Sequence, residues 1–125
     1  DAEAALMHGP TFMANALACA AANASLDLFA REDRAGQVAT IEAALTRDLA
    51  PCRKIAGVHD VRVKGAIGVV ELDRIHDHAA LRRRFLEEGV WIRPFGNIVY
   101  LTPSFTIGAD DLAMLTGSIC RLLSG

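Results

Sequence analysis

Apolar residues recur along this chain with two periods, and the places where the period changes mark its elements. From Asn15 to about Ala30, Leu17, Ala21, Ala24 and Leu28 return at helical spacing, and Asn15 is placed to cap the helix they predict. A second predicted helix, about Arg34 to Arg53, sets Val38, Ile41, Leu45 and Leu49 on one face with charges opposite, and Pro51 and Gly57 mark its end. The repeat then shortens. Val58 to Lys64 alternates through Val61 and Val63, Gly65 turns, and Ala66 to Glu71 reads as a second strand. His76 to Glu88 returns to helix with Leu81, Phe85 and Leu86 inward and Gly89 as its C-terminal cap. Val90 to Arg93 and Ile98 to Leu101 read as short strands around a Pro94-Phe95-Gly96-Asn97 turn. Asp110 to Leu123 closes as a helix, with Leu112, Leu115, Ile119 and Leu122 spaced for a core and Asp110 and Asp111 suiting the helix dipole. The order α-α-β-β-α-β-β-α predicts an α/β chain of the α+β kind, helices layered on a small sheet. There is no internal repeat, and the one boundary falls near Ala30 to Gly36.

Composition narrows the function. At 125 residues the chain is one modest domain at most, with enough apolar content (52%) to build a core without staples. A net charge of -2 argues against a general nucleic-acid binder or a basic membrane-surface protein. The Arg82-Arg83-Arg84 run reads as a solvated helix face. Cys19, Cys52 and Cys120 are odd in number, far apart and in helical patterns, which points to reduced thiols and a cytoplasmic location. Ala4 to Leu26 is poor in charge, yet Gly9-Pro10, Asn15, Asn23 and Ser25 interrupt it and most of its apolar positions are alanine, so it is not a membrane span. A start at Asp1 with no leader suggests a piece of something longer.

Two places carry candidate chemistry. The first is His8-Gly9-Pro10-Thr11-Phe12-Met13, a loop leading into the alanine-rich helix. Gly9 lets a ligand approach the backbone closely and Pro10 fixes a turn dihedral. Thr11 offers a hydroxyl and an N–H near a helix N-terminus, where anions are favoured. The second is Arg93, between a buried-looking strand and a turn, where a guanidinium can clamp a carboxylate with two parallel hydrogen bonds. Spacing alone favours the plainer reading, a strand-end arginine paired at the surface. Tyr100, the sole tyrosine, reads as core packing or as a wall of the same cleft. His76 and His78 lie in a charged stretch without a zinc-site pattern, and His59 is unremarkable. No Ser-His-Asp or Cys-His arrangement stands out, and Gly65-Ala66-Ile67-Gly68 is too short for a dinucleotide fingerprint.

Taken together, the runs His8 to Leu26, Val61 to Glu71 and Gly89-Val-Trp-Ile-Arg-Pro-Phe-Gly96 resemble one family. It is that of the adenosylmethionine–8-amino-7-oxononanoate aminotransferases (7,8-diaminononanoate synthases), class III pyridoxal-phosphate enzymes of biotin synthesis. The resemblance runs from His8 to the last helix. It implies a fold-type I aminotransferase, with residues 1–30 the tail of the large cofactor-binding domain and residues 31–125 the C-terminal small domain. It implies that Pro10 and Thr11 bind the phosphate of pyridoxal 5'-phosphate across a homodimer interface, in the neighbouring subunit's active site. Gly9 would contact the keto substrate through its backbone, Arg93 would hold that substrate's distant carboxylate, and Tyr100 would line the pocket. The implied substrates are S-adenosylmethionine, the amino donor, and 8-amino-7-oxononanoate. Ala14 and Ala16 stand where the family often has glycine and proline, and Thr102-Pro103-Ser104 replaces a common double-proline stretch. The larger departure is a missing group. Transamination needs a Schiff-base lysine and a carboxylate on the pyridinium nitrogen. Lys54 and Lys64 match neither the context nor the position of the family's lysine, so this chain alone is expected to be inactive. The alternatives are a stand-alone α+β binding or oligomerisation module and a related aminotransferase with another amino donor. The alanine-rich helix is expected to expose an apolar face and to favour self-association.

Overall fold

A computed structural model describes Gly9 and residues 11–125, so His8 and Pro10 lie outside the described residues. The chain divides into two compact units, Asp1–Asp33 and Arg34–Gly125. In the first, α1 spans Ala16–Arg31 and starts where Asn15 predicts, because the Asn15 side chain accepts a hydrogen bond from the Ala18 N–H at 3.0 Å. None of its residues is buried, and Leu17, Leu26 and Phe29 all stand exposed.

The second unit holds α2 (Arg34–Leu49), β1 (Val58–Lys64), β2 (Ile67–Leu72), α3 (His78–Glu87), β3 (Ile98–Leu101) and α4 (Ala109–Leu123). The α2 helix ends before the expected Arg53. Pro51 has no N–H to give the Arg47 carbonyl, and Ala50–Lys54 tightens into a 3-10 turn instead. β1 and β2 form an antiparallel hairpin closed by Gly65-Ala66, with Gly65 at φ 54°, as a two-residue turn with glycine first requires. A bulge interrupts the pairing between Val58 and Asp60. β3 pairs antiparallel on the other side of β2, giving the order β1-β2-β3.

Gly68 and Leu101 face each other across β2 and β3, as do Val70 and Val99, so these four share one face of the sheet. The α2 helix packs on that face. A Cβ at Gly68 would lie 2.9 Å from Leu49 Cδ1 and 3.3 Å from Leu45 Cδ2. Absence of a side chain there is what admits the helix so close. Ile41, Leu45 and Leu49 of α2, Val61, Val70, Val99 and Leu101 of the sheet, and Phe85, Leu112 and Ile119 of α3 and α4 form one buried core. Leu86, expected inward, is instead exposed, because Phe85 takes the inner position and Leu86 falls about 100° further round the helix. Thr116 and Ser118 are buried on α4 although polar. The Thr116 hydroxyl donates to the Leu112 carbonyl at 3.1 Å, and Ser118 Oγ accepts from Arg121 Nη2 at 3.1 Å, so neither is orphaned.

The expected strand Val90 to Arg93 is not part of the sheet. The segment is extended, with Val90 and Ile92 buried and Trp91 and Arg93 exposed, but only Phe95 bridges to Ile98. The pairing ends at that bridge: Phe95 and Ile98 exchange their backbone bonds, and Arg93 does not pair with Tyr100 to continue the ladder. The architecture remains α/β with one strand fewer than expected, and no helix among the described residues is long and apolar enough to cross a membrane.

Gly68→Ala places a methyl against two fully buried leucines. We expect a loss of about 1–3 kcal/mol in denaturant unfolding of the full chain, and an unchanged midpoint would refute the close helix approach.

Candidate functional site

Arg93 reaches its place through the end of α3. That helix is fixed at its start by Asp77, whose carboxylate accepts from the Ala80 N–H at 2.9 Å, and this bond holds the carboxyl below its ordinary range. At its other end Gly89 turns left-handed at φ 80°. The Gly89 N–H donates to the Leu86 carbonyl and the Val90 N–H to the Phe85 carbonyl, both at 3.0 Å, the paired bonds of a Schellman turn. Phe85 and Val90, the apolar pair such a turn brings together, are both buried. From there, alternation decides the outcome. Val90 and Ile92 enter the core, so Trp91 and Arg93 point outward.

The turn after Arg93 is fastened from two sides. Phe95 and Ile98 exchange backbone hydrogen bonds at 2.9 Å, and Gly96, at φ 55°, occupies the left-handed region between them. His78 Nε2 lies 2.7 Å from the Gly96 carbonyl, tying the turn to the first residue of α3. Asn97 accepts from the Leu72 N–H through its carbonyl at 2.8 Å and from the Ile75 N–H through its side chain at 3.4 Å. Sequence reasoning leaves His78 in a charged stretch and Asn97 in a turn, and gives neither a role in the site. A histidine in a charged stretch gives no sign that its ring meets a carbonyl 18 residues away.

Arg93 and Tyr100 line one open cleft of about 470 Å³ with Trp91, Thr102, Pro103 and Leu115. Tyr100 stands opposite Val69, on the sheet face away from α2, and is half-buried. Among the described residues neither the Arg93 guanidinium nor the Tyr100 hydroxyl has a hydrogen-bond or ion-pair partner. Arg47, Arg53, Arg62 and Arg121, by contrast, each engage a carboxylate. Among the described residues, no carboxylate pairs with Arg93. A free, five-donor fork over a cleft with an aromatic wall suits a ligand that carries a carboxylate on an apolar stem.

Gly9 and Thr11 belong to the other unit and are described by themselves. Both are exposed, and a Cβ at Gly9 would meet nothing within 4 Å. Thr11 opens the Thr11–Ala14 turn just ahead of Asn15. Its hydroxyl and N–H have no partner among the described residues, a donor set that fits a phosphate oxygen. Pro10 lies outside the described residues. Ala14, which stands where the family it resembles often has glycine, adopts φ 59°. An L-residue carrying a Cβ is strained there, so alanine at this position carries a conformational cost. Lys54 and Lys64 are both exposed, at the end of the 3-10 turn and at the end of β1.

The profile of the aminotransferase class-III family matches residues 2–123. The chain is 46% identical over 121 residues to the adenosylmethionine-8-amino-7-oxononanoate aminotransferase of Mycobacterium leprae, covering 97% of this chain and 28% of that protein. Against the protein of the same name from Corynebacterium glutamicum it is 42% identical over 121 residues, covering 97% of this chain and 29% of the relative. The chain thus spans little more than a quarter of these relatives' length. Among solved structures, adenosylmethionine-8-amino-7-oxononanoate aminotransferase from Methanocaldococcus jannaschii is similar, with a TM-score of 0.81 and 25% identity over 94% of this chain and 30% of that one. A PLP-bound amine transaminase from an uncultivated Pseudomonas species gives a TM-score of 0.80 at 28% identity, covering 95% of this chain and 30% of that one.

Replacing Ala14 by glycine should relieve about 1 kcal/mol of left-handed strain. The Ala18 amide, held by the Asn15 cap, should then exchange with deuterium roughly fivefold more slowly. Exchange unchanged from the parent would mean that Ala14 is not strained.

Proposed function

Because the chain belongs to the class-III aminotransferase family, we propose that it is the C-terminal portion of a pyridoxal-phosphate-dependent aminotransferase of biotin synthesis. Residues 1–30 then form the tail of the large domain and residues 31–125 the small domain. The complete homodimeric protein transfers the amino group of S-adenosylmethionine to 8-amino-7-oxononanoate, giving 7,8-diaminononanoate. Two relatives above 40% identity carrying that enzyme's name support this choice over other class-III aminotransferases.

The observation that carries the site is the Arg93 guanidinium, without a partner among the described residues, beside Tyr100 in one cleft. The keto substrate bears a carboxylate at the far end of an apolar chain. Arg93 grips that carboxylate with two parallel N–H donors, while Trp91 and Tyr100 pack against the stem and keep water from it. Holding one end fixes where the other end, the reacting carbonyl, sits. The S-adenosylmethionine half-reaction presents no such distant carboxylate, so the grip serves one substrate of the pair. Thr11, with Pro10, holds the cofactor phosphate through its hydroxyl and N–H, in the neighbouring subunit, and Gly9 leaves the backbone open to the keto substrate. Pyridoxal phosphate, when bound, supplies the electron sink and the temporary amino carrier. Lys54 and Lys64 are exposed, and neither resembles the lysine this chemistry uses.

In the complete protein, Arg93→Ala should raise KM for the keto acid about 10–100-fold, the loss of one charge-assisted contact, with a much smaller change in the S-adenosylmethionine half-reaction. Equal losses in both half-reactions would remove the carboxylate role. The 125-residue chain by itself, given pyridoxal phosphate, should show no transamination, and borohydride should fix no cofactor on Lys54 or Lys64. A labelled lysine peptide would overturn the assignment of the catalytic lysine to another part of the protein.

A further inference from the structure

Cys52 and Cys120 are 68 residues apart in sequence, yet their sulfurs lie 2.7 Å from each other. Cys52 is fully buried in the 3-10 turn that Pro51 imposes. Cys120 is half-buried on α4 and lines a separate open cleft of about 400 Å³ with Pro51, Thr116 and Gly117. Its sulfur also donates to the Asp48 carbonyl at 3.5 Å, leaving the Cys52 S–H to donate to Cys120. Neither thiol belongs to the Arg93 cleft.

We propose that Cys52 and Cys120 form a reversible oxidation site, in which a small hydroperoxide entering the cleft at Cys120 converts the dithiol to a disulfide. The order of events follows from exposure. Burial, and then the hydrogen bond to Cys120, push the Cys52 thiol up to about 12, so it stays protonated while solvent reaches Cys120. With hydrogen peroxide, the Cys120 sulfur attacks one oxygen, the O–O bond breaks, and the departing hydroxide takes the Cys120 thiol proton as the first water, leaving a sulfenic acid on Cys120. The Cys52 sulfur then attacks the Cys120 sulfur, the S–O bond breaks, and the departing hydroxide takes the Cys52 proton as the second water. Two thiols lose two electrons and the peroxide gains them. A disulfide is about 2.0 Å long, so the sulfurs need to close by about 0.7 Å from their 2.7 Å separation.

The bond would staple the 3-10 turn after α2 to α4, the helix whose Leu115 lines the Arg93 cleft, and it would close a long loop of the unfolded chain. The oxidised protein should therefore resist denaturant more than the reduced one.

The test treats the folded full chain with hydrogen peroxide, blocks remaining thiols with iodoacetamide, and maps the peptides. The expected product links Cys52 to Cys120, is lighter than the dithiol by the two thiol hydrogens, leaves Cys19 alkylated, and reverts with dithiothreitol. The urea midpoint should rise on oxidation and fall back on reduction. Cys120→Ser and Cys52→Ser should each abolish the linked peptide, and the parent map decides the matter by itself if either variant folds poorly. Irreversible sulfinic acid on Cys120 with Cys52 alkylated, a link through Cys19, or both thiols intact would each overturn the proposal.

Discussion

The contact between α2 and the middle strand at Gly68 governs how the second unit is assembled. Leu45 and Leu49 approach the backbone of β2 where no side chain intervenes, and this fixes which face of the sheet is inside. Once that face is set, Val70, Val99 and Leu101 are committed to the core and Tyr100 to the opposite face. The two parts of the cleft then come from separate local rules. Strand parity turns Tyr100 out, and the Schellman turn after α3 starts the alternation that turns Trp91 and Arg93 out. Burial of Val90 and Ile92 therefore presents the guanidinium without any contact made by Arg93 itself.

Much of this was legible in the residues, for identifiable reasons. Asn15 and Gly89 act through local backbone chemistry, so their caps could be placed from neighbours a few positions away. The β1–β2 hairpin was likewise visible, because alternation and Gly65 both act within a short window. The extended segment at Val90 to Arg93 shows the limit. A strand needs a backbone partner as well as a sequence that suits one, and this segment finds its partner only at the Phe95–Ile98 bridge. Leu86 differs for another reason: it falls about 100° round α3 from the buried Phe85, outside the stripe that this helix buries.

The candidate site divides in the same way. Arg93 and Tyr100 could be suspected from their neighbours, but only the tertiary structure shows them lining one cleft without partners among the described residues. His78 and Asn97, which brace the turn beyond Arg93, act through long-range bonds that leave no periodic trace. Cys52 and Cys120 are the clearest case. Their separation in sequence suggested unrelated thiols, and packing of α4 beside the turn after α2 makes them neighbours. The strain at Ala14 was equally hidden, because the φ angle belongs to the turn and not to the alanine.

The bulge between Val58 and Asp60 bears on something other than the cleft. β1 lies at the rim of a three-stranded sheet, where unpaired amides and carbonyls invite a stranger's strand to add on. The distorted start and the exposed Arg62 and Lys64 spoil that invitation, and Arg62 is further held by Asp60 at 3.0 Å and by Glu71. Side chains also occupy this rim at Val61, whose N–H donates to Asp60 Oδ1 at 2.7 Å and whose carbonyl accepts from Arg53. The charges along β1 thus act as insulation: they keep the hairpin paired with its own chain when protein is crowded.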